Sequence, residues 1–143
     1  MKILSLDLGD KWVGFAISDE LCMTCKPYKT VNIKETEKIL KEIIKNENIK
    51  KIIVGYPKTN KGMQSKQTLR IMSQQKELEN KLKKDGFENL EWILWDERLS
   101  SKRAEKVSNK KFKTPKEKQK SHSVAAAFIL QSYLDYLAFS KSL

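Results

Sequence analysis

The sequence predicts a mixed α/β fold: a five-stranded sheet that opens as an antiparallel meander, continues with parallel strands, and carries helices on both faces. Three observations predict it. Short segments rich in apolar and β-branched residues follow one another at 2–8, 12–18 and 23–31 with only tight connections between them. From there helix-like and strand-like patterns alternate through 35–46, 51–54, 64–82 and 90–95, and strands joined through helices pair in parallel by right-handed crossovers. The length, 143 residues, with 39% hydrophobic and 33% charged residues, suits one globular domain spanning 1–143 and is too short for two full lobes.

The elements follow from local chemistry. Residues 2–8 (KILSLDL) form the first strand, stopped by Gly9, and 12–18 (WVGFAIS) the second, which makes the connection between them a tight hairpin. Residues 23–31 read as an edge strand broken by Pro27, which cannot donate to a ladder. Over 35–46, Ile39, Leu40, Ile43 and Ile44 give the rhythm of an amphipathic helix. The run KIIV at 51–54 is a short buried strand ended by Gly55 and Pro57. A long helix over 64–82 would turn Leu69, Met72, Leu78 and Leu82 inward, followed by a strand at 90–95 and a short helix at 100–107. Residues 123–139 (SVAAAFILQSYLDYLAF) are the most apolar helix and must be buried.

Charge narrows the classes of partner. With 29 Lys+Arg against 18 Asp+Glu the chain carries +11, which points to a polyanion, nucleic acid before a membrane surface. The segment 102–120 holds nine basic residues and two acids, and therefore +7 of the total. Its part from about 108 to 121, nearly without apolar residues, reads as a mobile loop that contacts phosphates, against the plainer reading of a solvated linker. No apolar run reaches the length of a transmembrane helix, and charge interrupts the opening segment where a secretory signal would need an apolar core; the expected location is the cytoplasm. Cys22 and Cys25 form a lone C-x-x-C, and with His122 the only histidine there is no four-ligand zinc pattern.

Acidic residues at strand ends mark the candidate site, because ligands of such sheets collect at the carboxyl ends of parallel strands. Asp7 interrupts an apolar strand, where a carboxylate needs a cation, a donor or a metal; hairpin amides could equally satisfy it. Asp96 and Glu97 are adjacent and point to opposite faces of a strand, so only one can share a site with Asp7. Should the fifth strand lie near the first, that pair of carboxylates would suit a divalent cation; Asp96 as a helix cap and Glu97 as a first-turn acid is the competing reading. His122 stands at the expected start of the last helix and gains a role only if that helix brings it to Asp7.

The blocks MKILSLDLGDKWVGFAISDE, VGYPKTNKG, WDERLSS and SHSVAAAFILQSYLD resemble, in order and spacing, the four motif blocks of the YqgF/RuvX family over essentially the whole chain. That family comprises small bacterial proteins described as Holliday junction resolvases and as nucleases trimming the 5′ end of precursor 16S ribosomal RNA, within the RNase H-like superfamily. The resemblance implies a divalent-metal phosphodiesterase using one or two Mg²⁺ or Mn²⁺ ions, with Asp7 and Glu97 as metal carboxylates and His122 as the third catalytic and metal-binding position. The family usually carries Asp where this chain has His122, and small polar or basic residues where it has Asp10 and Trp12. Lys11, Lys58, Lys61, Arg98, Lys102, Arg103, Lys110, Lys111 and Lys113 are the expected backbone contacts, which position a nucleic acid without reading its sequence.

The expected partner is nucleic acid, structured RNA before a DNA junction, with ribosomal precursor particles as its setting, no membrane, and a monomer or homodimer as the working form. A Holliday junction resolvase is one alternative. A non-catalytic RNA-binding assembly factor is another, because the altered position 122 weakens the ligand set. A two-lobed sugar-kinase-like ATPase, which shares the D-L-G hairpin, does not fit the length.

Overall fold

The computed structural model describes residues 1–56, 66–96 and 115–142. Three strands lead: β1 (Lys2–Leu8), β2 (Trp12–Ser18) and β3 (Cys25–Asn32). A 3₁₀ turn (Ile33–Glu35), α1 (Thr36–Glu47), β4 (Ile49–Tyr56), α2 (Lys66–Lys84), β5 (Glu91–Asp96) and α3 (Pro115–Ser142) follow. The five strands form one sheet in the order β3-β2-β1-β4-β5. The first three pair antiparallel, and β4 pairs in parallel with both β1 and β5. This is the predicted mixed sheet.

Alternation along the strands divides the core into two layers. Leu4, Leu6 and Leu8 of β1, with Val13, Phe15 and Ile17 of β2 and Ile52 and Val54 of β4, pack against Leu40, Ile43 and Ile44 of α1 and Ile71 and Leu82 of α2. On the opposite face Ile3, Ala16 and Ile53 meet Ala126, Ile129, Leu130, Tyr133 and Leu134 of α3. The residues beneath α3 are small: Gly14 and Ala16 in β2 and Ser5 in β1, whose buried hydroxyl donates to the Ala126 carbonyl at 2.6 Å. Small side chains let the helix backbone come close to the sheet, which places its residues on the strand ends.

Local signals set the boundaries. The Asn32 side chain accepts from the Lys34 amide at 3.0 Å, opening the 3₁₀ turn. Asn48, in the left-handed region at φ 54°, closes α1 with its amide on the Ile44 carbonyl.

Two expectations are corrected. Leu82 is buried and Leu78 packs against the core as expected, but Leu69 is exposed, and the N-terminal half of the α2 stripe is Thr68, Ile71 and Gln75, two of them polar and so hidden from a hydrophobicity pattern. The last helix begins at Pro115, so 115–121, read as the end of a loop, is helical and His122 lies inside α3. Lys, Glu and Gln are good helix formers, and Pro is favoured in the first turn; polarity conceals such a helix but does not prevent it. The rest of the expected loop, 108–114, and the expected helix at 100–107 lie outside the described residues.

Candidate active site

The C-terminal end of β1 delivers Asp7 to the face covered by α3. By alternation Leu6 and Leu8 are buried against α1 and α2, leaving Asp7 on the other face at the rim of the sheet. There it meets His122, with Nδ1 2.9 Å from Asp7 Oδ2 and the side chains 29% and 20% exposed respectively. An ionised carboxylate can only accept, so Nδ1–H donates, and in the tautomer that does so the lone pair lies on Nε2. The pair joins residues from opposite ends of the chain, one on a strand end and one on a helix packed across it.

Two glycines make room for this contact. A Cβ on Gly14 would lie 2.1 Å from both the carbonyl carbon and the oxygen of His122 and 2.5 Å from the Ser123 nitrogen. Gly14 is the β2 partner of Asp7 in the ladder, so the helix rests on bare backbone directly beside the carboxylate. A Cβ on Gly9 would come within 2.9 Å of the His122 ring, and the Gly9 amide closes the tight connection by donating to Trp12 O at 2.9 Å.

The other side of the same strand end is held by α2. Arg70 Nη1 pairs with Asp10 Oδ1 at 2.6 Å and donates to Gln74 Oε1 at 3.1 Å, while Nη2 reaches Leu8 O at 3.5 Å. Gln74 Nε2 in turn donates to Gly9 O at 3.4 Å. Neither Arg70 nor Gln74 emerges from the sequence, because nothing local links them to the β1–β2 connection. Gly14 and Ala16, small residues at alternate positions of an otherwise bulky strand, are a legible signal of close helix approach.

Of the expected site residues, Asp7 and His122 come together and Lys11 lies exposed in the β1–β2 connection. Glu97, Arg98, Lys58, Lys61, Lys102, Arg103, Lys110, Lys111 and Lys113 lie outside the described residues. Among the described residues no cluster of three or more metal-ligating side chains occurs, and no Lys or Arg pairs with Asp7. Strand β5 does not adjoin β1; β4 lies between them. Trp95 of β5 sits on the α3 face, where its Nε1 donates to Ser132 Oγ at 3.2 Å and its ring packs edge-on to Tyr133. The lone C-x-x-C is packing: Cys25 Sγ donates to the Ala127 carbonyl at 3.1 Å, and burial, then the Asp135 charge, pushes its thiol up to about 11.

Strand order, mixed pairing and a carboxylate at the end of β1 define an α/β protein of the RNase H-like fold. Comparison with known proteins carries this further. The chain belongs to the family described as "RuvX: Holliday junction resolvase", whose model matches residues 1–136. It is thereby placed among nucleases, hydrolases of phosphodiester bonds. A relative from Caldicellulosiruptor bescii is 34% identical over 139 residues, covering 95% of this chain and 97% of the relative. One from a Geobacillus species is 40% identical over 146 residues, covering 94% and 98%. Both carry the name "Putative pre-16S rRNA nuclease". Among solved structures, Thermus thermophilus RuvC in complex with a Holliday junction substrate matches with a TM-score of 0.57 at 10% identity, covering 96% of each chain. The fowlpox virus resolvase bound to Holliday junction DNA matches with a TM-score of 0.53 at 18% identity, covering 96% of this chain and 99% of that one. At these identities the likeness is one of fold. No described helix is long and apolar enough to cross a membrane.

Proposed function

We propose that this chain is a divalent-metal nuclease of the cytoplasm that hydrolyses phosphodiester bonds in structured RNA, trimming the 5′ end of precursor 16S ribosomal RNA. The observation that carries the reading is the Asp7–His122 pair at the end of β1. A divalent cation fits these donors. Asp7 is partly exposed, among the described residues it meets no Lys or Arg and only its Oδ2 is engaged, and His122 donates through Nδ1, which leaves Nε2 for a ligand or a proton. Such a cation, when bound, acts as a Lewis acid at the phosphate and lowers the pKa of a bound water.

The residues divide the remaining work. His122 fixes the orientation of the Asp7 carboxylate through Nδ1–H and offers Nε2 for proton transfer. Glu97, not Asp96, serves as the second carboxylate, as the resemblance of the WDERLSS block to the family implies. Arg98, Lys11, Lys58, Lys61 and the basic residues Lys102, Arg103, Lys110, Lys111 and Lys113 hold the backbone on either side of the scissile bond. Trimming one RNA end needs a single site, so a monomer suffices. The names of the curated relatives favour RNA, and the family description names a DNA junction, whose two symmetric cuts would call for a homodimer.

A side-by-side assay on precursor 16S RNA and a four-way DNA junction, each with Mg²⁺ and with Mn²⁺ and with oligomer mass measured in parallel, tests the reading. The expected result is metal-dependent cleavage of the RNA, abolished in Asp7→Asn with binding retained. Tight RNA binding by the wild type without cleavage under either ion would replace the enzyme by a binding factor. Selective cleavage of the junction by a dimer would replace the substrate.

A further inference from the structure

The Asp10–Arg70 pair has no part in the chemistry above, yet it lies at the same end of β1 as Asp7. Arg70 projects from α2 to the β1–β2 connection, its Nη2 on the Leu8 carbonyl and its neighbour Gln74 on the Gly9 carbonyl, the two peptide groups that follow Asp7. The guanidinium is thus tied to the same backbone that fixes the carboxylate. Asp10, its partner at 2.6 Å, is 77% exposed, whereas the Arg70 side chain is 31% exposed. An acid so exposed needs no partner to be solvated, and an ion pair open to water contributes little stability, so it exchanges readily. Arg has five donor hydrogens, and among the described residues its acceptors Asp10, Gln74 and Leu8 O leave others for a second anion.

We infer that Arg70 is a phosphate-binding residue, with Asp10 as its resting counter-ion that a phosphate of the bound strand displaces. The inference rests on the nuclease reading above. Planar guanidinium donors suit a phosphate in bidentate fashion, and the Leu8 carbonyl, which accepts from Nη2, anchors the guanidinium to the backbone that follows Asp7. In this chain an acid occupies the turn position and Trp12 the next-but-one, so the turn itself supplies only Lys11 as a cation; Arg70 adds one from the facing helix.

The two substitutions have opposite signs, which separates a phosphate ligand from a structural brace. Binding of a labelled precursor 16S RNA and of a four-way DNA junction is measured by anisotropy between about 50 and 200 mM salt. Arg70→Ala is expected to weaken binding and to flatten the log–log salt slope by about 0.7 to 0.9. Asp10→Asn is expected to tighten binding several-fold, and this gain is expected to vanish in the Arg70→Ala background, because a general charge effect would persist there. Circular dichroism and thermal melts of all three variants confirm folding. An unchanged slope in Arg70→Ala, weaker binding in Asp10→Asn, or a gain that persists without Arg70 overturns the inference. Failure of the wild type to bind either probe overturns the nuclease reading instead.

Discussion

Replacing Gly14 by alanine tests whether α3 is seated on bare strand backbone to bring His122 to Asp7. The added Cβ would stand 2.1 Å from the His122 carbonyl carbon and oxygen. Carbon contacts settle near 3.5 Å, so the helix backbone must retreat by about 1.4 Å, and backbone cannot rotate aside as a flexible side chain can. A retreat of that size stretches the 2.9 Å Nδ1···Oδ2 contact beyond hydrogen-bonding range. It also opens the layer in which Ala16, Ala126, Ile129 and Leu130 are packed. Overpacking of this kind costs about 3 kcal/mol, equivalent to a fall in Tm of roughly 10 °C for a domain of this size. Displacing a catalytic group by about 1 Å lowers the rate on the order of a hundredfold. The assay pairs thermal unfolding with kcat and KM at a temperature where the variant remains folded, and follows the His122 ring resonances by NMR. The expected outcome is a lowered Tm, a loss carried by kcat, and shifted ring signals. An alanine variant with unchanged Tm, rate and ring signals would refute the close seating of α3 on β2 at this point.

Two further outcomes follow from the same packing. Ser5→Ala removes the buried hydroxyl that donates to the Ala126 carbonyl and should cost about 1 kcal/mol with kcat little changed, because Ala126 lies one turn of α3 beyond His122; chemical denaturation measures it. Cys25, with its thiol pushed up to about 11, should alkylate slowly at pH 8, with about a hundredfold less thiolate than an ordinary cysteine, and speed up about tenfold per pH unit above that. The same raised value means that its contribution to stability is present below the ordinary thiol range and is lost as pH rises through about 11. Mass spectrometry of iodoacetamide-treated native and urea-unfolded protein checks the rate, and equal labelling in the two states would show that Cys25 is not packed under α3.

Much of the frame is legible in the residues themselves. Alternation in KILSLDL and WVGFAIS determines β1 and β2 at their observed boundaries, and the helical rhythm of Ile39, Leu40, Ile43 and Ile44 determines α1 to within a residue. These are local periodicities, enforced by burial of one face, and burial is read directly from side-chain type. Where a buried stripe contains Thr68 and Gln75, or a helix opens with lysines as α3 does, the pattern disappears and the boundary is misread. Asp7 is conspicuous from sequence alone because a carboxylate in an apolar strand is costly without a partner.

The identity of that partner is a different kind of fact. Asp7 and His122 are separated by nearly the whole chain, and their contact depends on α3 crossing the sheet over Ser5, Gly14 and Ala16 at a height that only small residues permit. The Arg70–Asp10 pair likewise depends on the placement of α2 against the end of β1. Sequence by itself determined the five strands, α1 and α2, the buried part of α3, the basic character and the carboxylate that needed a cation or a donor. Only the tertiary structure decided which side chain answers it, because distances between elements are set by packing of one layer on another and leave no trace in local periodicity.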